Sequence, residues 1–465
     1  FCVLGLRSIA IWKYGAAVPE NQWDSNNYPR NVYDSFVSPN RSMEVSGLYE
    51  YTFRNIYKFV EKKLSVDIAK DREIVASYFE KRNDQIQYQE NDYSNIFEDK
   101  NIIMIMLESI DNRLVNDEIM PTLTYFRETG LNFTNRYAPM FGSGATFNSE
   151  FSALIGLHAP TDGTAAFNYD TNNYDLSLPN LFKQNGYTVN SVHMNYGGFY
   201  NREGIHRAIG FENHYALKEI YPDVETRLDS TLAENDNIYH LLVPESDKFM
   251  TFIITYTPHM PYDNTNPMFQ IIKRLDDSSY EELKVEEEDT TVISVLARET
   301  DDFLTILKEK LEKDHKIDDT VIVIFSDHGA YNYSKNIPSV SNEDFSKLSL
   351  LQSIPMPLII WSKDIENQQI DTVMDTIDIT PTIANMFNLS YRPSYYLGTD
   401  VFSKYHEEYV YFNDYSWYDG NIYYNGEVPN EIDPKYVKKI SEEVNEKINI
   451  NDKILNSDYF SVIDY

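Results

Sequence analysis

Asp327, His328 and Gly329 follow directly on the apolar run TVIVIFS (320–326). An acid and an imidazole side by side at a strand end can turn onto one cation when the next residue, a glycine, frees the backbone. Glu108 follows a second run, NIIMIML (101–107), and offers a second carboxylate. His193 sits near the end of a third, YTVNSVHM (187–194), and His259 lies just past a fourth, FMTFIITY (249–256), in TPHMP. Carboxylates mixed with imidazoles suit Mn2+, Zn2+ or Mg2+. Singly, each residue has a plainer reading: a strand-end histidine usually packs, and Asp327 would cap a helix. Four strands delivering such groups together is what a site requires.

A nucleophile is offered by FGSGATFNSEFSALIG (141–156), where Gly and Ser precede a helix whose first turn holds Thr146. A hydroxyl there sees the positive end of the helix dipole and unbonded backbone N–H groups, which stabilise an alkoxide and a phosphoryl oxygen. The competing role is an N-cap, the commonest duty of a Thr before a helix.

The elements that must position these groups follow from patterning. From residue 101 onward, the four runs and a fifth, PLIIWS (357–362), alternate with helical stretches such as MPTLTYFRET, ATFNSEFSALIG, LSLPNLFKQNG, ISVLARETDDFLTILKEKLEK and ITPTIANMFNL. Near-continuous Ile/Val runs imply strands buried on both faces, hence an α/β fold with a mostly parallel sheet flanked by helices. Ligands bind such sheets beyond the carboxyl ends of the strands, where the candidates lie. Residues 1–98 are polar and Tyr-rich, with helical spacing over 46–64 and 67–86 and a linker at QYQENDYSN. The tail reads as short strands (EYVYFND, NIYYNGE) and a helix around 434–449. The expected division is 1–98, 99–405 and 406–465, the last a small C-terminal α+β subdomain.

Composition narrows the function. Forty Lys+Arg against 73 Asp+Glu leave a net charge of −33, which repels nucleic acid and suits divalent cations. Cys2 is the one cysteine of 465 residues, so no intrachain disulfide forms, and the composition fits an exported protein that avoids thiols. The chain opens FCVLGLRSIAIW, with no charge before Arg7. No stretch approaches the ~20 apolar residues of a membrane span. That opening reads either as a short buried segment or as the tail of a transmembrane helix lying upstream.

Together these pieces resemble the alkaline phosphatase superfamily and, within it, the lipoteichoic acid synthases, membrane-anchored phosphoglycerol transferases with a sulfatase-like catalytic domain. The matching segments are NIIMIMLESIDN with Glu108, GSGATFNSEF with Thr146, HMNYGGFYNREG with His193 and Arg202, TYTPHMPY with His259, and VIVIFSDHG with Asp327 and His328; LGTDVFSK (397–404) resembles the stretch after the family's catalytic core. The resemblance implies one divalent ion, Mn2+ above Mg2+ or Zn2+, on Glu108, Thr146, Asp327 and His328. It implies Thr146 as nucleophile, and His193, Tyr200, Arg202 and His259 facing the phosphate and glycerol of the substrate, with His259 also moving a proton. It implies phosphatidylglycerol as donor, a polyglycerol phosphate chain or glycolipid as acceptor, and a position on the extracellular face of the cytoplasmic membrane, anchored by upstream helices. It also implies that 1–98 is a juxtamembrane linker with helices and 99–405 the catalytic domain. Two residues depart from the family pattern: Asn195 stands where an Asp is expected, and Tyr200 where Trp is common. Formylglycine sulfatases are set aside because Thr146-Phe147-Asn148 lacks their Cys/Ser-x-Pro-x-Arg motif, and the disulfide-rich phosphoethanolamine transferases because of the single Cys. Competing readings are a phosphodiesterase or phosphoethanolamine-type transferase of the same fold, and a non-catalytic protein that binds teichoic acid.

Overall fold

The computed structural model describes residues 12–17, 28–35, 39–54, 56, 67–142, 144–161, 164–275, 288–330, 354–426 and 432–463. The opening 1–11 and residues 57–66 lie outside them; 48–54 is helical. No helix among the described residues is long and apolar enough to cross a membrane.

Thirteen strands form among the described residues, in chain order β1 (Asn101–Leu107), β2 (Leu131–Phe133), β3 (Arg136–Tyr137), β4 (Thr188–His193), β5 (Asn213–Ala216), β6 (Phe249–Ile254), β7 (Thr320–Ser326), β8 (Leu358–Trp361), β9 (Gln368–Ile370), β10 (Met374–Asp375), β11 (Val410–Tyr411), β12 (Trp417–Tyr418) and β13 (Tyr423–Tyr424). Eight make the main sheet in the order β5-β4-β6-β1-β7-β8-β2-β9. From β5 to β7 every pairing is parallel. β8 runs against both its neighbours, and β2 and β9 are parallel to each other. The five apolar runs are thus all strands of one mostly parallel sheet, with PLIIWS reversed. Three short strands, β2, β5 and β9, carry no comparable run.

The runs are continuous because both faces are buried. Ile102, Met104 and Met106 enter one apolar cluster, and Ile103, Ile105 and Leu107 the other. β7 alternates the same way, Val321, Val323 and Phe325 against Ile322 and Ile324, as a period of two demands. Eight helices matter to the argument: α1 (Ile68–Gln85), α2 (Pro121–Thr129), α3 (Ala145–Ile155), α4 (Leu178–Gln184), α5 (Arg202–Ala208), α6 (Glu288–Lys313), α7 (Ile379–Met386) and α8 (Pro434–Ser457). α3, α4 and α7 cover the first face with Phe147, Phe151, Leu181, Ile379 and Ile383, while α2 and α6 cover the second with Leu123, Phe126, Leu296, Phe303 and Leu307.

The C-terminal part joins β11, β12 and β13 in a small antiparallel sheet and continues into α8, longer than the 434–449 stretch by eight residues. α8 packs on α1 from the other end of the chain. Arg72 Nε donates to Ser457 O at 2.9 Å, Lys453 pairs with Asp71 at 2.5 Å, and Phe79 lies 5.6 Å from the Tyr459 ring. Glu407 accepts from Arg82 and Lys447, each at 2.9 Å.

Candidate active site

The carboxyl ends of β6, β1 and β7 are adjacent and laced together. Glu108 N donates to Thr255 Oγ1 at 2.9 Å, Thr255 N to Met106 O at 3.1 Å, and Asp327 N to Leu107 O at 3.1 Å. Ser109, at a positive φ of 55°, turns the chain so that its N–H reaches Asp327 Oδ1 at 2.8 Å and its hydroxyl reaches Glu108 Oε1 at 2.7 Å. Glu108, Asp327 and His328 are all buried, with one ligand atom of each within 4.8 Å of the others.

His328 donates Nδ1–H to Gly329 O at 2.9 Å. Its Nε2 lies 3.3 Å from Asp327 Oδ2 and 3.7 Å from Glu108 Oε1. Burial opposes a charge on the ring, but the two carboxylates outweigh it and raise the imidazole above its usual value. Asp327 Oδ2 is buried and accepts no hydrogen bond. Burial and the Glu108 charge push Asp327 up to about 7. Burial would raise Glu108 too, but the charges of His328 and His259 and bonds from Ser109 and Asp327 hold it below its usual value. Two buried carboxylates and an imidazole within 4.8 Å, with one carboxylate oxygen free of hydrogen bonds, favour a positive charge among them. Two carboxylates, an imidazole Nε2 and a hydroxyl fit a divalent cation of the Mn2+, Mg2+ or Zn2+ kind.

The hydroxyl is Thr146, whose Oγ1 donates to Glu108 Oε2 at 3.2 Å. Thr146 is not the N-cap of α3. That position is Gly144, whose φ of 88° suits glycine and whose missing side chain leaves room for Tyr200: a Cβ there would come within 2.9 Å of the Tyr200 ring. The helix is anchored from below by Ser149, which donates to Asp327 O at 2.5 Å.

His193 ends β4, buried, with Nδ1 3.3 Å from Ile254 O; burial and the Arg202 charge drive it well below the usual imidazole value. His259 is half-buried, its Nδ1 2.9 Å from Met260 O and its ring stacked at 5.9 Å on Tyr256, whose ring also lies 6.1 Å from that of His193. Tyr200 packs beside Phe147 at 5.7 Å. Asn195 turns its Oδ1 back to Tyr196 N at 2.9 Å. Arg202 differs most from expectation: it is buried and committed to Glu150, with Nε at 3.0 Å and Nη2 at 2.9 Å from Oε2. The sequence reading passed over Glu150, the one charge in the otherwise neutral FGSGATFNSEFSALIG. A lone acid amid small and apolar helix residues signals a buried partner.

A model of the sulfatase family matches residues 100–389, well over half the chain. The chain belongs to the sulfatase family. The main sheet, Thr146 and the Glu108–Asp327–His328 cluster all lie within that sulfatase span. Among proteins of assigned function, the chain is similar to the lipoteichoic acid synthase of Staphylococcus saprophyticus, 28% identical over 448 residues, covering 90% of this chain and 66% of that protein. It is 27% identical over 456 residues to the lipoteichoic acid synthase of Staphylococcus aureus, covering 89% and 66%. The chain therefore spans slightly less than two thirds of these relatives. Among solved structures, the sulfatase fold is shared with the lipoteichoic acid synthase LtaP from Listeria monocytogenes, at a TM-score of 0.61, 19% identity and coverage of 83% of this chain and 98% of that one. A protein in the alkaline phosphatase superfamily from Vibrio parahaemolyticus superposes at 0.59, with 16% identity and coverage of 85% and 97%.

Proposed function

We propose that this chain is the catalytic part of a phosphoglycerol transferase that moves glycerol phosphate from phosphatidylglycerol to a polyglycerol phosphate chain or glycolipid. The observation that carries the proposal is the Thr146 hydroxyl bonded to Glu108 in a buried acid–imidazole cluster that calls for a cation. A protein that only bound teichoic acid would have no use for a hydroxyl held there.

Glu108, Thr146, Asp327 and His328 would hold the divalent ion. Bound there, the ion supplies positive charge that lowers the pKa of the Thr146 hydroxyl and neutralises charge on a phosphate oxygen. Thr146 Oγ1 attacks the phosphorus, its proton held toward Glu108. The diacylglycerol oxygen leaves with a proton from His259, and glycerol phosphate stays on Thr146. In the second half His259 takes the proton of the acceptor hydroxyl, which attacks the phosphothreonine and frees Thr146. Arg202 and His193 receive the phosphate; Tyr200 closes the wall above Gly144. The donor is a lipid of the outer leaflet, so the domain works at the extracellular face of the cytoplasmic membrane, anchored by helices upstream of Phe1.

Incubation of the protein with fluorescent phosphatidylglycerol and Mn2+ tests the reading. Release of diacylglycerol, with glycerol phosphate recovered on the peptide carrying Thr146, is the expected result. Diacylglycerol release with free glycerol phosphate and no chain growth on any acceptor would make it a phosphodiesterase instead.

A further inference from the structure

Behind α3 lies a buried polar chain that the mechanism above does not use. Glu150 stands one turn after Thr146, fully buried, and accepts from Arg202 on one side and His206 on the other. His206 Nδ1 is 2.7 Å from Ser191 Oγ, and Ser191 Oγ is 2.9 Å from His214 Nδ1. The four segments involved are α3, α5, β4 and β5, and Ser191 is two residues before His193.

Proton positions along this chain follow from its end. Burial holds Glu150 against ionising, but Arg202 and His206 outweigh it and draw it down to about 2. Burial lowers His206 and lowers His214 to about 2, so both rings are neutral. An ionised Glu150 only accepts, so His206 carries its proton on Nε2 and gives it to Oε1. Its Nδ1 then accepts from the Ser191 hydroxyl, and Ser191 accepts from His214 Nδ1–H. Every bond points toward Glu150. With Nε and Nη2 of Arg202 fixed on Glu150, Nη1 is left buried with no hydrogen-bond partner. The guanidinium centre lies 5.3 Å from the Tyr200 ring, and that ring rests on Gly144 at the start of the Thr146 helix. A buried donor without an acceptor, at that end of α3, is placed for an anion that arrives from outside.

We propose that Glu150, held by the His206–Ser191–His214 chain, is the positioning residue for Arg202, turning the guanidinium so that Nη1 is presented to a phosphate oxygen at Thr146. This rests on reading Thr146 as the transfer centre. Arg202 touches the phosphate; Glu150 and His206 act only through it. The bidentate pair makes the arrangement rigid, and the ordered hydrogen bonds prevent Glu150 from rotating away.

The test is calorimetric binding of inorganic phosphate to the Mn2+-loaded protein, with melting temperature recorded for each variant. Arg202→Lys and Glu150→Asp should each weaken phosphate binding about tenfold, and the double variant should bind no worse than the weaker single one, because both changes remove the same contact. His206→Gln still donates to Glu150 and should bind within about threefold of wild type, whereas His206→Phe should match Glu150→Asp. If Glu150→Asp does not fold, the His206 pair carries the comparison. Wild-type affinity in Glu150→Asp or His206→Phe, penalties that multiply to about a hundredfold in the double variant, or a wild type that binds no phosphate would each overturn the proposal. Diacylglycerol release is assayed in parallel. A wild type that binds phosphate with these non-additive losses but releases no lipid product sinks the transferase reading and leaves the positioning role standing.

Discussion

The protein buries two pairs of carboxylates at the same edge of its sheet and treats them in opposite ways. Behind the His259 turn, Asp229 and Glu299 face each other with every oxygen filled. Asp229 accepts from Tyr256 N at 2.8 Å, Thr257 N at 3.1 Å and Thr300 Oγ1 at 2.7 Å. Glu299 accepts from Ser230 N at 2.9 Å, Asp229 N at 3.0 Å and Thr257 Oγ1 at 2.7 Å. Around Glu108 and Asp327 the donors run out: Asp327 Oδ2 accepts no hydrogen bond, and the nearest imidazole nitrogen, His328 Nε2, stands 3.3 Å away. Both pairs carry a raised pKa, yet of the two only the Glu108–Asp327 pair keeps a buried oxygen, Asp327 Oδ2, without a hydrogen bond. A shifted acid is therefore a poor sign of chemistry by itself; the telling sign is an oxygen that the fold has declined to satisfy.

The contrast can be broken or sharpened by mutation. The largest effect should come from Thr146→Ala, which should cut diacylglycerol release by ~10³-fold or more while the melting temperature stays near wild type, since the cap of α3 is Gly144. A Thr146→Ala protein with half the wild-type turnover would end the nucleophile assignment. Next is the cation. Mn2+ at about a hundred times its Kd should stabilise the wild type by ~2.7 kcal/mol, read as a rise in Tm. Asp327→Asn should abolish that rise, and Glu299→Gln should keep it. Equal loss in both variants would mean that the two pairs are not different in kind.

A third expectation concerns pH. Burial first, and then the Asp229 charge, push Glu299 from its usual 4.5 up to about 8. The folded protein thus keeps a proton that the unfolded chain gives up, so this contribution is full below about pH 4.5 and is lost as pH rises through about 8. Melting temperature should fall across that window, and Glu299→Gln should flatten the fall. An unchanged slope would show that the pair does not titrate there. The smallest effect should be that of Glu299→Gln at neutral pH, about 1 kcal/mol or roughly one degree in a chain of this length, because the amide oxygen keeps accepting while one donor is added.

Much of this was legible beforehand. The runs at 101–107, 249–256 and 320–326 name parallel strands because strands buried on both faces are apolar at nearly every position; 187–194, with Asn190, Ser191 and His193, shows the pattern more weakly, and the residues that end the four announce the edge. Direction was not legible in PLIIWS: an antiparallel β8 buried on both faces looks like its parallel neighbours. β5, with sequence NHYA, lies at the sheet's margin and carries too little apolar weight to stand out. At the site, residue types picked out Glu108, Thr146, Asp327 and His328, which the structure brings together. Arg202 was named, but its partner Glu150 was not, although its isolation among small and apolar residues marks a buried acid. Asp229 and Glu299 escaped because their segments, RLDSTL and ARETDD, are charged enough to read as solvated.

The clasp between α1 and α8 has a consequence for synthesis. Tyr78 and Phe79 are buried in a cluster that includes Val437, Val444, Tyr459 and Phe460. Helix α1 is translated some 350 residues before its covering helix. In that interval two aromatic rings have no lid, and contacts so distant in sequence close slowly. A stop codon anywhere before Pro434 should therefore yield a polypeptide that aggregates rather than a smaller working enzyme.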